Sequence, residues 1–335
     1  MLGLIVRRLL QMPLILAVIY ALTLALAWAV PGSPLERPEG RRPPAEVLMA
    51  MERQYKLDSF PRFFVSYLDN ATGLKFVREK IDGSAGREDA RLIEIGAAPR
   101  ERRVFDLGPS LMYRDRNVNE IIGASLPISM TLGLAAMLIA LVLGLAAGII
   151  GAVRPNSLAD VGTLSVALIG ISLPNFVIGT ALVLVFPVWL GWGSVATWGG
   201  VKNMILPALT LSLPFAAYIA RLTRMGMIEQ LSADYIRTAR AKGASERSVL
   251  LKHALKNAFL PVLSFLGPAS ALAMTGSFVV ERVFTVPGMG QHFVNAVQNK
   301  DLFLIIGVVL VYAMILIVFN LAVDVLYGWV DPRIE

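Results

Sequence analysis

An all-α integral membrane protein with six transmembrane helices is what this sequence predicts. Three grounds carry that: where its charges lie, how its apolar residues run, and which connections hold the basic ones. The chain has 335 residues, 56% of them hydrophobic and 16% charged, with a mean hydropathy of +0.65. Soluble domains carry about 25% charged residues. The deficit is local, because residues 31–120 hold 31 of the 55 charges and the other 245 residues share 24. That remainder cannot coat a water-soluble surface, which excludes a soluble enzyme and a disordered chain. The absence of cysteine excludes disulfides, thiolate metal sites and a cysteine nucleophile. Two histidines leave little for a histidine metal centre.

A hydrocarbon core ~30 Å thick needs about 20 apolar helical residues to cross it. Six stretches meet that: Leu9–Val30, Leu126–Val153, Leu158–Leu190, Met204–Thr223, Ala258–Val280 and Leu302–Leu326. The first follows Arg7-Arg8 and ends on Ala27-Trp28-Ala29, as a cleaved signal peptide would. Its 22 residues exceed the about 7–15 of a signal core, so residues 1–30 are read as a retained helix. Residues 31–120 form a long external loop or small cap after it. The segment opens on Pro31, Pro34, Pro38, Pro43 and Pro44. A helix follows with Val47, Leu48, Met51 and Tyr55 at helical spacing, then an apolar run at Phe60–Leu68. From Lys75 to Arg103 charges alternate without a period.

Residues 121–335 make the transmembrane domain. Gly144 and Gly148 form a G-x-x-x-G face that lets helices approach closely. Pro174, Pro207, Pro214 and Pro268 each remove a backbone donor and predict kinks. Trp189, Trp192 and Trp198 read as an interfacial aromatic belt. Asp160 and Asp324 have no partner within their own segments.

Short connections set the orientation. Twelve Lys and Arg lie at the N-terminus, at Arg154, in 221–256 and at Arg333, against Lys202, Arg282 and Lys300 on the other side. The excess places both termini and the 221–256 loop in the cytoplasm. Loops longer than about 60 residues escape this rule, so the charges of 31–120 do not oppose it.

Nucleotide and hydrolytic chemistry are missing. The sequence contains no Gly-Lys dipeptide, hence no G-x-x-x-x-G-K-[ST] phosphate loop, and no G-x-G-x-x-G, H-E-x-x-H or G-x-S-x-G. If the protein uses nucleotide energy, another chain binds the nucleotide.

The loop at 224–257 reads as two helices meeting at a glycine. Ser232 is the expected N-cap of a helix over roughly Ala233 to Lys242, with Asp234 in its first turn and Arg240 and Lys242 in its last. Gly243 supplies the left-handed stop, and Ser245 caps the next helix, which runs to Pro261. The short helix is basic and rich in small residues. It suits a protein groove with acidic rims, and equally an anionic lipid surface.

Asp234-Tyr235-Ile236-Arg237-Thr238-Ala239-Arg240-Ala241-Lys242-Gly243, with Leu251-Lys252-His253-Ala254-Leu255-Lys256-Asn257, resembles the loop of binding-protein-dependent ABC importer permeases. Arg237-Thr238-Ala239 stands where that family has its Glu-Ala-Ala signature, a departure typical of the peptide and nickel branch. Ser172-Leu173-Pro174-Asn175-Phe176, Ala220-Arg221-Leu222-Thr223-Arg224 and Pro287-Gly288-Met289-Gly290-Gln291 agree with that branch, and with its oligopeptide permease B subunits above all. The resemblance covers nearly all of 1–70 and 104–335. The insertion 71–103 has no counterpart.

The resemblance implies a type I ABC importer permease (MetI-like) fold. It implies as partners a homologous second permease in a heterodimer, two cytoplasmic ATPase subunits, an external solute-binding protein, membrane lipid and a peptide substrate, with no nucleic acid. ATP and Mg would be bound by the ATPases and no cofactor by this chain, which is then not itself an enzyme. Asp234, Tyr235, Arg237, Thr238, Ala239, Arg240, Ala241, Lys242 and Gly243 would form the ATPase-coupling helix. Pro287, Gly288, Gly290 and Gln291 would contact the binding protein; the cap reads either as a second docking surface for it or as a passive insertion. Oligopeptides are the expected cargo; dipeptides, nickel chelates and other peptide-like solutes are the alternatives. The competing class is an ion-coupled secondary transporter, which calls for intramembrane acids or broken helices in matched repeats. The sequence offers neither.

Overall fold

The computed structural model describes residues 2–32, 34–35, 45–82, 104–113, 116–193 and 197–330, and these are nearly all helical. Pro38, Pro43, Pro44, most of the stretch from Lys75 to Arg103, and Arg333 lie outside the described residues. Among the described residues, five helices are long and apolar enough to cross a membrane: Ile5–Ala29, Val118–Val153, Val201–Leu231, Leu260–Val283 and Leu302–Leu326. A bent pair makes a sixth crossing when its two arms are counted as one span.

That pair shows the kink expected at Pro174, as a sharp bend within the third apolar stretch. Helix α6 (Leu158–Ser172) and helix α7 (Asn175–Val183) meet at 102°. The physical cause is Pro174, which lacks an N–H and pushes the preceding residue out of the helical region. Leu173 accordingly sits extended, at φ −84° and ψ 130°. Pro207, Pro214 and Pro268 stay inside continuous helices.

The preceding helix, α5 (Val118–Val153), begins eight residues before its apolar stretch does. Glu120 occupies the third position of its first turn, and its Oε2 accepts from Asn117 N at 3.4 Å. This is one half of a capping box, an N-terminal signal that hydropathy does not read.

The chain divides into two compact units. One comprises Met1–Pro13, Ser125–Gln291 and Tyr312–Glu335; the other comprises Leu14–Ala124 and His292–Val311. In the first, α5 packs on α8 (Val201–Leu231) through its glycine face. A Cβ on Gly144 would stand 2.7 Å from Ile219 Cβ, and one on Gly148 would stand 2.5 Å from Thr223 Cβ. Leu132, Ala136, Ala140, Leu211, Ile219 and Val262 are buried there. Gly148→Val should therefore force α5 and α8 apart, costing about 1–3 kcal/mol through overpacking. A lower melting midpoint of the detergent-purified protein is the expected result. Arg8 and Asp324, of α1 (Leu2–Ala29) and the last helix, pair at 2.9 Å.

The second unit gives the 31–120 segment a core of its own. Helices α2 (Ala45–Gln54), α3 (Phe60–Ala71) and α4 (Leu74–Ile81) follow one another, α4 falling where no period was legible. Tyr20 and Trp28 of α1 receive α3. Tyr20 Oη donates to Phe64 O at 2.7 Å, and the Trp28 and Phe60 rings meet edge to face at 5.6 Å. The Phe63 and Phe303 rings lie 5.2 Å apart. Asp301, fully buried, accepts from Met112 N at 3.1 Å and from Ser110 Oγ.

His292 Nδ1 lies 3.2 Å from Tyr113 Oη. Burial, and then the Arg116 charge, push its pKa down. The folded state thus binds fewer protons than the unfolded one in the window below about 6.5, and stability falls as pH drops through it. Thermal midpoints measured from neutral pH downward should show this loss, and His292→Gln should remove it.

Candidate functional site

Helix α8 runs directly into the loop singled out by its charges. Ser232 closes α8 rather than capping the next helix, because its backbone is helical (φ −85°, ψ −11°). Its hydroxyl is engaged as well, donating to Glu229 O at 2.7 Å. Ala233, extended at φ −72° and ψ 150°, is the residue before α9 (Asp234–Ala241), with no side-chain cap. Helix α9 is eight residues, about 12 Å long.

Nearly all of it faces outward. Asp234, Tyr235, Arg237, Thr238, Arg240 and Ala241 are exposed, as are Lys242 and Gly243 beyond its end. Ile236 is the anchor, fully buried against Ala152, Met227, Val249, Ala254 and Ala258. Ala239, three residues on, is half-buried on the same side. A bulky residue at Ala239 would therefore meet this chain first, whereas Thr238 and Ala241 present small surfaces to a partner. Tyr235 ties α9 sideways, its hydroxyl donating to Gln230 Oε1 at 2.7 Å and accepting from Asn257 Nδ2 at 3.2 Å.

The stop at Gly243 is a Schellman turn. Gly243 N donates to Arg240 O at 2.9 Å and Ala244 N to Ala239 O at 3.1 Å, with Gly243 at φ +78°. Arg240 bridges the turn with two bonds to Glu246, 2.8 Å from Nε and 3.2 Å from Nη2. These bonds hold the Glu246 carboxyl below its usual range and raise the Arg240 guanidinium.

Ser245 Oγ accepts from Ser248 N at 3.4 Å and opens α10 (Glu246–Ser248) as expected. A π-helical turn, Val249–Ala254, follows, then α11 (Leu255–Ala258) and α12 (Leu260–Met274). The π turn escapes a 3.6-residue reading, since it adds a residue per turn without changing composition.

The Pro-Gly segment folds around a buried acid. Helix α13 (Phe278–Val283) carries Glu281, which is fully buried. Its Oε1 accepts from Ser129 Oγ at 2.8 Å and its Oε2 from Gln291 N at 3.1 Å; Gly290 N also donates to the carboxylate. Ser129 Oγ accepts in turn from Met289 N at 2.8 Å. The carboxylate thereby ties α5 to the first turn of α14 (Met289–Gln298). Of the four residues singled out here, Pro287 is exposed and Gln291 half-buried, while Gly288 and Gly290 are buried. A Cβ on Gly288 would stand 2.4 Å from Glu281 Oε1. Trp189 and Trp192 are exposed, and Trp198 packs on Phe284 and Val286 with their neighbours.

Among the described residues, no three His, Cys, Asp or Glu side chains converge on a point that could hold a metal. What the arrangement offers is mechanical: a short exposed helix, pinned by one apolar residue, at the end of a long apolar helix.

Comparison with known proteins agrees. Residues 140–335 match the family described as binding-protein-dependent transport system inner membrane component. The dipeptide transport system permease protein DppB of Bacillus subtilis (strain 168) is 36% identical over 98% of this chain and 97% of its own. The oligopeptide transport system permease protein OppB of Haemophilus influenzae is 37% identical over 100% of both. A solved inward-facing MetNI methionine ABC transporter chain has a TM-score of 0.47 at 17% identity, covering 63% of this chain and 97% of its own. Sequence pattern, helical architecture and near full-length identity converge: the chain belongs to the binding-protein-dependent transport system inner membrane component family of ABC transporter permeases.

Proposed function

We propose that the chain is one of two homologous permease subunits of an importer that moves peptides, oligopeptides foremost, into the cytoplasm by alternating access. Helix α9 is its cytoplasmic coupling helix, docked in a groove of one of two ATPase subunits that bind ATP and Mg. An external binding protein delivers the solute to the opposite side, where the 31–120 segment and Pro287 receive it. The observation that carries this reading is α9 itself, exposed on most of its surface and stopped by a Schellman turn at Gly243. A helix whose one buried side chain is Ile236, with Arg237, Arg240 and Lys242 outward, is built to be engaged from outside. The two near full-length relatives, named for dipeptide and oligopeptide transport, support the peptide class.

Reconstitution tests it. Proteoliposomes holding this chain, its homologous permease and the ATPases, supplied with the binding protein, should accumulate labelled peptide only with ATP. Peptides of two to six residues offered separately distinguish dipeptide from oligopeptide cargo. The purified chain alone should hydrolyse no ATP, and turnover by it would contradict the division of labour.

A further inference from the structure

Helix α6 packs along α8 yet leaves most of its side chains exposed. Of its fifteen residues only Asp160 and Gly170 are buried, while Val161, Val166, Leu168, Ile169 and Ile171 are all exposed. At Gly170 the neighbour is Leu213 of α8, approached closely at its backbone carbonyl. At Asp160 it is a two-pronged ion pair: Arg224 Nε donates to Oδ1 at 2.5 Å and Nη2 to Oδ2 at 2.7 Å. Asn156 N adds a bond to Oδ2 at 2.8 Å. Gly151 of α5 closes the site from the third side, where a Cβ would stand 2.9 Å from Asp160 Oδ1 and 3.4 Å from Arg224 Cδ.

The position of the pair matters as much as its geometry. Arg224 lies three residues before Met227, which packs on Ile236, the one buried residue of α9. Only Ser232 and Ala233 separate α8 from α9. A displacement of α9 therefore reaches the Arg224 turn of α8 through a short stretch of helix and a packed core. From there the ion pair leads to one end of α6, whose other end is the 102° bend at Leu173-Pro174. Helix α6 thus runs along α8 with a sharp bend at one end and a charged clasp at the other.

We propose that Asp160 and Arg224 are a positioning pair that makes α6 move with α8, and that opening this clasp separates ATP hydrolysis from solute uptake. The inference rests on the reading of α9 as the ATPase contact, and the two fail differently. If α9 is not the contact, Arg237→Glu leaves capture of the ATPases unchanged. The clasp is judged on another quantity, ATP hydrolysed per peptide imported.

Arg224→Lys keeps the charge and loses the planar fork, and Asp160→Asn keeps the shape and loses the charge. In the full assembly both should capture the ATPases at the wild-type level and retain most of their ATP hydrolysis. Uptake should fall about tenfold, so the ratio of ATP to peptide rises severalfold. The chain has no cysteine, so Asp160→Cys with Arg224→Cys, joined by a short bifunctional thiol reagent, gives a second test. The linked protein should regain uptake that the unlinked one lacks. Loss of assembly in both conservative variants, hydrolysis and uptake falling in proportion, an unchanged ratio, or no rescue by the linker would each overturn the proposal.

Discussion

Glu281→Ala should leave little folded protein, while Glu281→Gln should leave most of it. The carboxylate accepts from the backbone N–H groups of Gly290 and Gln291 and from the Ser129 hydroxyl, all in a buried setting. Alanine strands the two N–H groups, at about 1–3 kcal/mol each, and water cannot reach them. It also opens a cavity lined by Gly276, Gly288 and Gly290, whose missing side chains make room for the carboxylate. Glutamine keeps one acceptor oxygen toward the N–H groups, and its amide can donate to Ser129 Oγ. The loss is then limited to the charge-assisted part of the bonds, about 1 kcal/mol. Monodisperse yield in detergent after a fixed heat step should rank wild type, glutamine, alanine. Alanine equal to wild type would show that the cradle does not depend on Glu281.

At Gly243 the largest effect should fall on transport rather than on folding. Its φ of +78° disfavours every residue with a Cβ, by roughly 1–2 kcal/mol for most and least for asparagine. Among the described residues, nothing beyond its immediate chain neighbours lies within 4 Å of where that Cβ would stand. A change that folds but fails must therefore fail against something outside the chain. Gly243→Asp, which places a negative charge at the C-terminal end of α9 and against the helix dipole, should reduce uptake at least about tenfold, equivalent to 1.4 kcal/mol of coupling. Gly243→Asn, of nearly the same size and neutral, should retain most of the activity. Both should reach the membrane in normal amounts. Uptake assays paired with quantitative immunoblots of the membrane fraction check this.

Period and composition made the helices legible, and turn chemistry made the loop legible. Gly243 could be read as a stop because few other residues adopt its backbone, and Gly144 with Gly148 as a contact because only small residues allow it. Proline was a weaker guide. Pro174 breaks its span while Pro207, Pro214 and Pro268 do not, and all four sit within apolar stretches. Ser232 misled because a serine ahead of an acidic first turn fits an N-cap, yet α8 continues far enough to absorb it. The partners of Asp160 and Glu281 were beyond reach for a different reason. Arg224 lies 64 residues from Asp160 and Ser129 lies 152 from Glu281, distances that only the packing of whole helices closes. A signal existed nonetheless: an acid inside an apolar helix must find a partner.

Because the natural chain contains no cysteine, a single one can be placed at Thr238, exposed on α9 and small enough to change without disturbing Ile236. The most direct measurement is to carry Thr238→Cys in an active importer assembly, add a short thiol-reactive photocross-linker and identify the adduct by mass spectrometry. The account predicts a bond to an ATPase subunit, in a yield that changes when ATP is bound. An adduct only with lipid, or none with an ATPase in an assembly that imports normally, would contradict the claim that α9 is where ATP hydrolysis meets this permease.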